Sequence, residues 1–275
     1  MMVPKINFQI LIATMNRENL DFLYKMFPEH KIENLDIIIV NQTTHEKELL
    51  SSNVASVKVI NSYDRGLSKS RNLALKHAVS NWCLIADDDL VYYKGFEKII
   101  TAGIGEYRSS GVIVFKSMAD ERIPRRNFPK KTKKQLSTFE QFNVASFEML
   151  LNRSDAMPVF FNENFGLGSD EFLFGEETVL MCDYVKKHRN ISYYNNPIVF
   201  HPIVSTGTLY NHPLRYYTKG AVLKYCYPNF CSLWIYIQLF FDLKQNKIKF
   251  TEVCKSFKEA KKGASTLKKI NNAAH

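Results

Sequence analysis

The chain has 275 residues, 37 Lys and Arg against 27 Asp and Glu, and is 45% hydrophobic and 13% aromatic. That apolar fraction suits one folded domain, or one with an extension, and excludes wholesale disorder; 11 Gly and 9 Pro exclude a collagen-like or low-complexity chain. The net charge of +10 is uneven: His212 to the end holds twelve Lys and Arg and three acids, Arg122–Lys134 holds seven and none, and the rest is acidic. An acidic body with a basic loop and a basic tail implies an anionic partner (nucleic acid, a phospholipid surface or a phosphorylated ligand), unless the lysines only solubilise. Five cysteines with no close pair argue against a disulfide scaffold or a zinc site and for reduced cytosolic thiols.

Ile6–Ala13 reads as a buried strand rather than a secretory signal. Asn19–Phe27 has helical spacing. Leu35–Val40 is a β-branched strand followed by the polar turn Asn41-Gln42-Thr43-Thr44, and Glu46–Leu50 reads as a short helix. Ser56–Ile60 is a third strand, Leu67–Val79 a helix and Trp82–Ala86 a fourth strand. This alternation with short connections predicts parallel strands with right-handed crossovers, and ligands at the strands' carboxyl ends. Gly111–Phe115 is another strand, and Ser117–Ser137 a long basic loop. Glu176–Lys187 looks helical, Ile191–Tyr194 and Ile198–Phe200 extended, and Leu214–Tyr225, Phe230–Leu243 and Thr251–Lys269 helical. The boundary falls near Gly207–His212, giving a body of residues 1–210 and an extension of residues 211–275. The longest apolar run, Phe230–Phe241, reaches only about 18 Å as a helix, short of the roughly 30 Å of a bilayer core.

Asp87-Asp88-Asp89 follows an apolar strand, where adjacent acids repel unless a divalent cation such as Mg²⁺ or Mn²⁺ neutralises them. In an extended segment Asp87 and Asp89 would share one side; the alternative is a solvated acidic turn. Glu176-Glu177 opens a helix, where the dipole alone favours acids; the sharper reading is a general base. His201, at a strand end, is either packed or a metal ligand beside Asp89. Gly66-Leu67-Ser68-Lys69-Ser70-Arg71-Asn72 opens a helix as a fair anion site, but no P-loop, G-x-G-x-x-G or nucleophile elbow occurs.

Ile12-Ala13-Thr14-Met15-Asn16-Arg17, the Gly66–Asn72 block and Asp87-Asp88-Asp89 resemble family 2 glycosyltransferases of the GT-A fold. Phe161–Gly168, Gly175-Glu176-Glu177-Thr178, Phe200-His201-Pro202 and Ser205-Thr206-Gly207 are similar to a bacterial branch that builds surface polysaccharides. The resemblance implies an α/β GT-A fold: a Rossmann-like half, a mixed central sheet flanked by helices, and a C-terminal helical extension. It implies an inverting transfer from a nucleotide-sugar donor, a UDP-sugar first, to a glycan or lipid-linked acceptor, with Mn²⁺ or Mg²⁺. Carried across, Thr14, Asn16, Arg17, Asn41, Arg71, Asp87 and Asp88 would bind the nucleotide-sugar. Asp89 and His201 would hold the metal, and Glu177, or its neighbour Glu176, would be the base. Where the family often has Asp-Asp-Gly-Ser, this chain has Asn41-Gln42-Thr43-Thr44, so base contacts would differ.

Phe230, Leu233, Trp234, Ile237 and Phe241 share a helical face beside many lysines, which reads as core contacts or as an anchor for an anionic cytoplasmic leaflet. The expected location is cytoplasmic, peripheral on the inner face of the plasma membrane. The competing readings are an inactive scaffold of the same fold and a nucleic-acid-binding protein. Against the latter, aromatic residues do not interleave with the basic ones and the body is acidic, so no nucleic acid is expected.

Overall fold

The computed structural model describes residues 8–154, 159–201 and 212–273. Ile6 and Asn7 of the first expected strand, Pro202, Ser205-Thr206-Gly207 and most of the expected boundary lie outside the described residues.

The parallel half follows the sequence. Strands β1 (Gln9–Met15), β2 (Ile37–Gln42), β3 (Val57–Ser62) and β4 (Trp82–Asp87) pair in parallel in the order β3-β2-β1-β4. The apolar runs of β1, β2 and β4 are nearly continuous because both sheet faces are covered there, whereas the edge strand β3 is only partly buried. Ile10, Ile12, Ile37, Ile39 and Leu84 pack on one face with α1 (Asp21–Met26) and α3 (Phe96–Glu106). Leu11, Ile38, Val40, Cys83 and Ile85 pack on the other with α2 (Leu67–His77) and α5 (Glu176–Lys186).

The second half departs from expectation. Glu46–Leu50 is not helical; Asn61 binds both the amide and the carbonyl of buried Leu50, holding that stretch as a loop. Residues 41 and 42 continue β2 rather than turning, because their backbone pairs with both β1 and β3. The expected loop from Ser117 is strand at its start: β6 runs Val112–Asp120 and folds back through β7 (Ile123–Pro124). The two expected strands after Ile191 are one strand, β9 (Ile191–Phe200), which absorbs Pro197 where its register with β6 shifts. Strand β8 (Met149–Asn152) runs antiparallel to both β4 and β6, and β5 (Val91–Tyr92) closes the edge on β9.

After the four-residue helix α4 (Thr138–Gln141) and α5, the extension adds α6 (Arg215–Cys226), α7 (Cys231–Lys244) and α8 (Val253–Ala273). Gly220 and Gly263 let α6 and α8 cross at backbone contact: a Cβ on Gly220 would sit 1.8 Å from the Ala260 carbonyl oxygen. The extension shares a core with the body, where Phe165, Phe172 and Val179 pack with Ala221, Val222 and Leu267. Cys182 and Cys226 form a disulfide between α5 and α6, so the reduced-thiol reading is corrected for this pair. Their separation of 44 residues conceals it; only the packing of two helices brings the sulfurs together. Cys83, Cys231 and Cys254 are free.

Candidate active site

The carboxyl end of β1 is shaped by its neighbours. Asn16 takes a left-handed φ of 53°, and its amide donates to the Gln42 carbonyl at 2.8 Å. Asn41 is fully buried; it accepts from the Arg17 amide at 3.0 Å and donates to the Arg17 carbonyl at 3.1 Å. Its side chain therefore holds the Thr14–Arg17 segment from below. The segment's own side chains gather on Asp88: Arg17 donates to Asp88 Oδ2 through Nη2 at 2.7 Å and Nε at 2.9 Å, and the Thr14 hydroxyl donates to the same oxygen. The Arg17 guanidinium also lies over Phe22, 5.0 Å from the ring centroid.

The three aspartates take three different partners. Strand β4 ends at Asp87 and the chain turns, so each acid meets a different basic group. Asp87 Oδ1 accepts from Arg71 at 3.0 Å, Asp88 takes Arg17, and Asp89 Oδ1 lies 3.4 Å from His201 Nε2. Asp87 and Asp89 both act on Arg125, whereas Asp88 faces Thr14 and Arg17.

Arg71 ties the site together. It is 1% exposed on α2, and its planar fork reaches Asp87 through Nη2, Glu176 Oε1 through Nη1 at 3.0 Å, and Ser146 Oγ at 2.7 Å. Burial pulls its pKa down, but Asp87, Glu176 and Glu177 together hold it above the ordinary arginine value. The amino end of α2 is not an open anion site: the Leu67 amide donates to the Leu167 carbonyl and the Ser68 hydroxyl to that of Phe165.

Gly175 precedes α5 with φ 94°, and a Cβ there would meet Val222 at 2.4 Å, so glycine alone permits this helix start. Glu176 is buried against Arg71. Glu177 is half-buried, and its carboxyl is pushed up to about 8, by burial first and by Glu176 second, with Arg71 opposing. Adjacent acids are thus placed differently: Glu176 pairs with Arg71, and burial beside Glu176 raises the Glu177 carboxyl.

Residues 9–161, more than half of the chain, match the family described as Glycosyl transferase family 2. The chain belongs to that family. No curated protein matches it. Among solved structures, S. aureus TarS 1–349 in complex with UDP-GlcNAc is similar at a TM-score of 0.53 and 17% identity, over 79% of this chain and 66% of that one. TarS 1–349 alone is similar at 0.51 and 18%, over 92% of this chain and 80% of that one. At such identities the likeness concerns the fold, which is GT-A: a mixed sheet between helices with a helical C-terminal part.

In this family 2 glycosyltransferase, the groups around Asp89 bear on metal binding. Among the described residues no three His, Cys, Asp or Glu side chains gather to hold an ion. Asp89 and His201 nevertheless face one another as two donors, and Mg²⁺ normally takes one or two carboxylates and fills its shell with phosphates and water. The residues therefore fit a two-ligand site. The His201 ring is buried and stacked on Phe147, with centroids 5.2 Å apart and planes 4° apart. The His201 hydrogen bond, against the opposing effect of burial, holds Asp89 below the usual carboxylate range, with the charges of His201 and Arg125 contributing.

Arg125 also lies over the Phe147 ring, its Cζ 5.0 Å from the ring centroid. Of the basic residues Arg125, Arg126, Lys130 and Lys131, Arg125 bears on Asp89. Arg126 is bound to buried Glu148 at 2.6 Å, and Lys130 and Lys131 are exposed. Ser146, Phe147 and Glu148 carry no motif; their role comes only from the turn that leads into β8.

Proposed function

We propose that this glycosyltransferase moves a sugar, with inversion, from a UDP-sugar to a glycan or lipid-linked acceptor, using Mn²⁺ or Mg²⁺. The observation that carries the reading is the Arg71 bridge: Asp87 and Glu176 each lie 3.0 Å from one guanidinium, which ties the end of β4 to the start of α5. The UDP-bound TarS structures support the donor class.

Each residue then has a task. Thr14, Arg17 and Asp88 form a braced edge for the nucleotide, with exposed Asn16 beside it and Asn41 beneath. Asp87 stands toward the ribose or base, fixed by Arg71. Asp89 and His201 would hold the ion, which supplies charge neutralisation for the diphosphate when bound. Arg125 adds fixed positive charge beside Asp89. Glu177 accepts the proton of the acceptor hydroxyl as that oxygen attacks the anomeric carbon. The diphosphate leaves from the opposite face, so a single displacement inverts the configuration.

The setting we infer is surface-polysaccharide synthesis, cytoplasmic and at the inner face of the plasma membrane. Residues 1–210 would carry the transfer and residues 211–275 form an extension seated on α5. A reducing cytoplasm would open the Cys182–Cys226 bond, leaving the shared apolar cluster to hold α5 and α6 together.

Asp89→Ala is the test of metal dependence. It should lower Mn²⁺-supported hydrolysis of the UDP-sugar about a hundredfold or more, and chelation should do the same to the wild type. Equal turnover in the variant, or turnover indifferent to chelator, would remove the metal from the reading.

A further inference from the structure

We propose that the outer face of α7 docks on an anionic lipid bilayer and lies in its plane. Cys231, Ile235, Leu239 and Asp242 form the inward face of this helix and are buried. On the opposite side Leu233, Tyr236 and Phe240, with Phe230 just before the helix, are each more than half exposed. The stripe read from the sequence thus turns partly outward: Phe230, Leu233 and Phe241 are exposed, whereas Trp234 and Ile237 are half-buried.

The apolar surface extends beyond the helix. Phe241 lies 5.8 Å from Phe240 and 6.3 Å from exposed Phe139, centroid to centroid, and Phe250 is 83% exposed. Phe139, Phe240 and Phe241 thus continue the apolar face of the helix as neighbouring exposed rings, and such a patch marks an interaction site.

Charge decides the occupant. The single acid of α7, Asp242, points inward and is paired with Arg215 and Lys219, both at 3.1 Å. The outer face therefore presents no carboxylate of its own helix. Exposed lysines flank it: Lys244 in the last turn, Lys249 beside Phe250, and Lys261, whose Nζ lies 3.2 Å from Ser232 Oγ. Aromatic rings at headgroup depth with lysines toward acidic lipids is the chemistry of an interfacial helix. A second copy would bring the same basic extension against this one, which like-charge repulsion disfavours. Spanning is excluded for this helix, since no helix among the described residues is long and apolar enough to cross a membrane. The surface is independent of the transfer chemistry, so vesicle binding and nucleotide binding are separate measurements.

The experiment is co-sedimentation of the full chain with phosphatidylcholine vesicles, with and without phosphatidylglycerol. The protein should pellet with the acidic vesicles only, and less as salt rises. Leu233→Ser with Phe240→Ser should weaken this at least about tenfold. Lys244→Gln, Lys249→Gln and Lys261→Gln together should weaken it about a hundredfold. Unchanged UDP binding in both variants shows that they fold. Absence of pelleting on acidic vesicles at low salt, or pelleting of both variants like the wild type, would overturn the proposal. A wild-type dimer abolished by Leu233→Ser with Phe240→Ser would overturn it too, because a second copy would then cover the face.

Discussion

Arg71→Met should cost about 3–5 kcal/mol of stability and abolish activity, the largest effect expected of any single substitution in this chain. Methionine fills much of the arginine's volume but leaves Glu176 buried with its carboxylate uncompensated. Asp87 is 30% exposed and regains water, so most of the cost falls on Glu176. Arg71→Met combined with Glu176→Gln should therefore recover a large part of the loss, the mark of two residues acting as a pair. Urea midpoints of the wild type, the two single variants and the double variant measure this; additive losses would mean that the bridge contributes nothing of its own. Lysine should rescue poorly, because a point charge cannot reach Asp87, Ser146 and Glu176 at once.

Glu177→Gln should lower turnover about 10²–10⁴-fold while leaving UDP affinity intact. The pH dependence distinguishes a base from a structural acid. With its carboxyl pushed up to about 8, Glu177 is protonated at neutral pH, so wild-type kcat/KM should rise with pH and level off above about 8. The variant's profile should be flat across that range. Stability moves the other way. The raised value means that the folded protein keeps a proton which the unfolded chain has released, so the wild type loses stability as pH rises from about 4.5 to about 8. Glu177→Gln should abolish that slope and melt higher than the wild type at pH 8. A wild-type kcat/KM independent of pH, or a variant of full activity, would remove Glu177 from the chemistry and return attention to Glu176.

What the sequence discloses, and what it hides, follows from the range of the interactions. The parallel half is legible because local patterns decide it: Ile37–Val40 and Trp82–Ala86 are apolar throughout since both faces are covered, and the acids at 87–89 sit where a strand must end. The site residues are legible as types, since Asp, Glu and His at strand and helix ends are few. Their partners are not, because Arg71 and Glu176 are 105 positions apart and meet only when α2 and α5 pack on one sheet face. Helix α3 escapes notice, although Phe96, Ile100, Gly103 and Ile104 make its buried face. Strand β8 is four residues long, too short to show a period, and gains its identity from β4 and β6 on either side. The outward turn of α7 is set by Cys231, Ile235 and Leu239 packing with Ala260 and Ala264 and by Asp242 pairing with Arg215 and Lys219; the helix is apolar on nearly every side, so its pattern alone does not say which face turns inward.

The central claim is that one cleft holds the donor's diphosphate and its metal at Asp89 and His201. An anomalous difference map from crystals grown with UDP and Mn²⁺ tests it most directly. The account predicts one peak within about 2.2 Å of the Asp89 carboxylate and His201 Nε2, with the UDP phosphates as its other ligands. Ordered UDP bound elsewhere, or a manganese peak held by neither Asp89 nor His201, would contradict it.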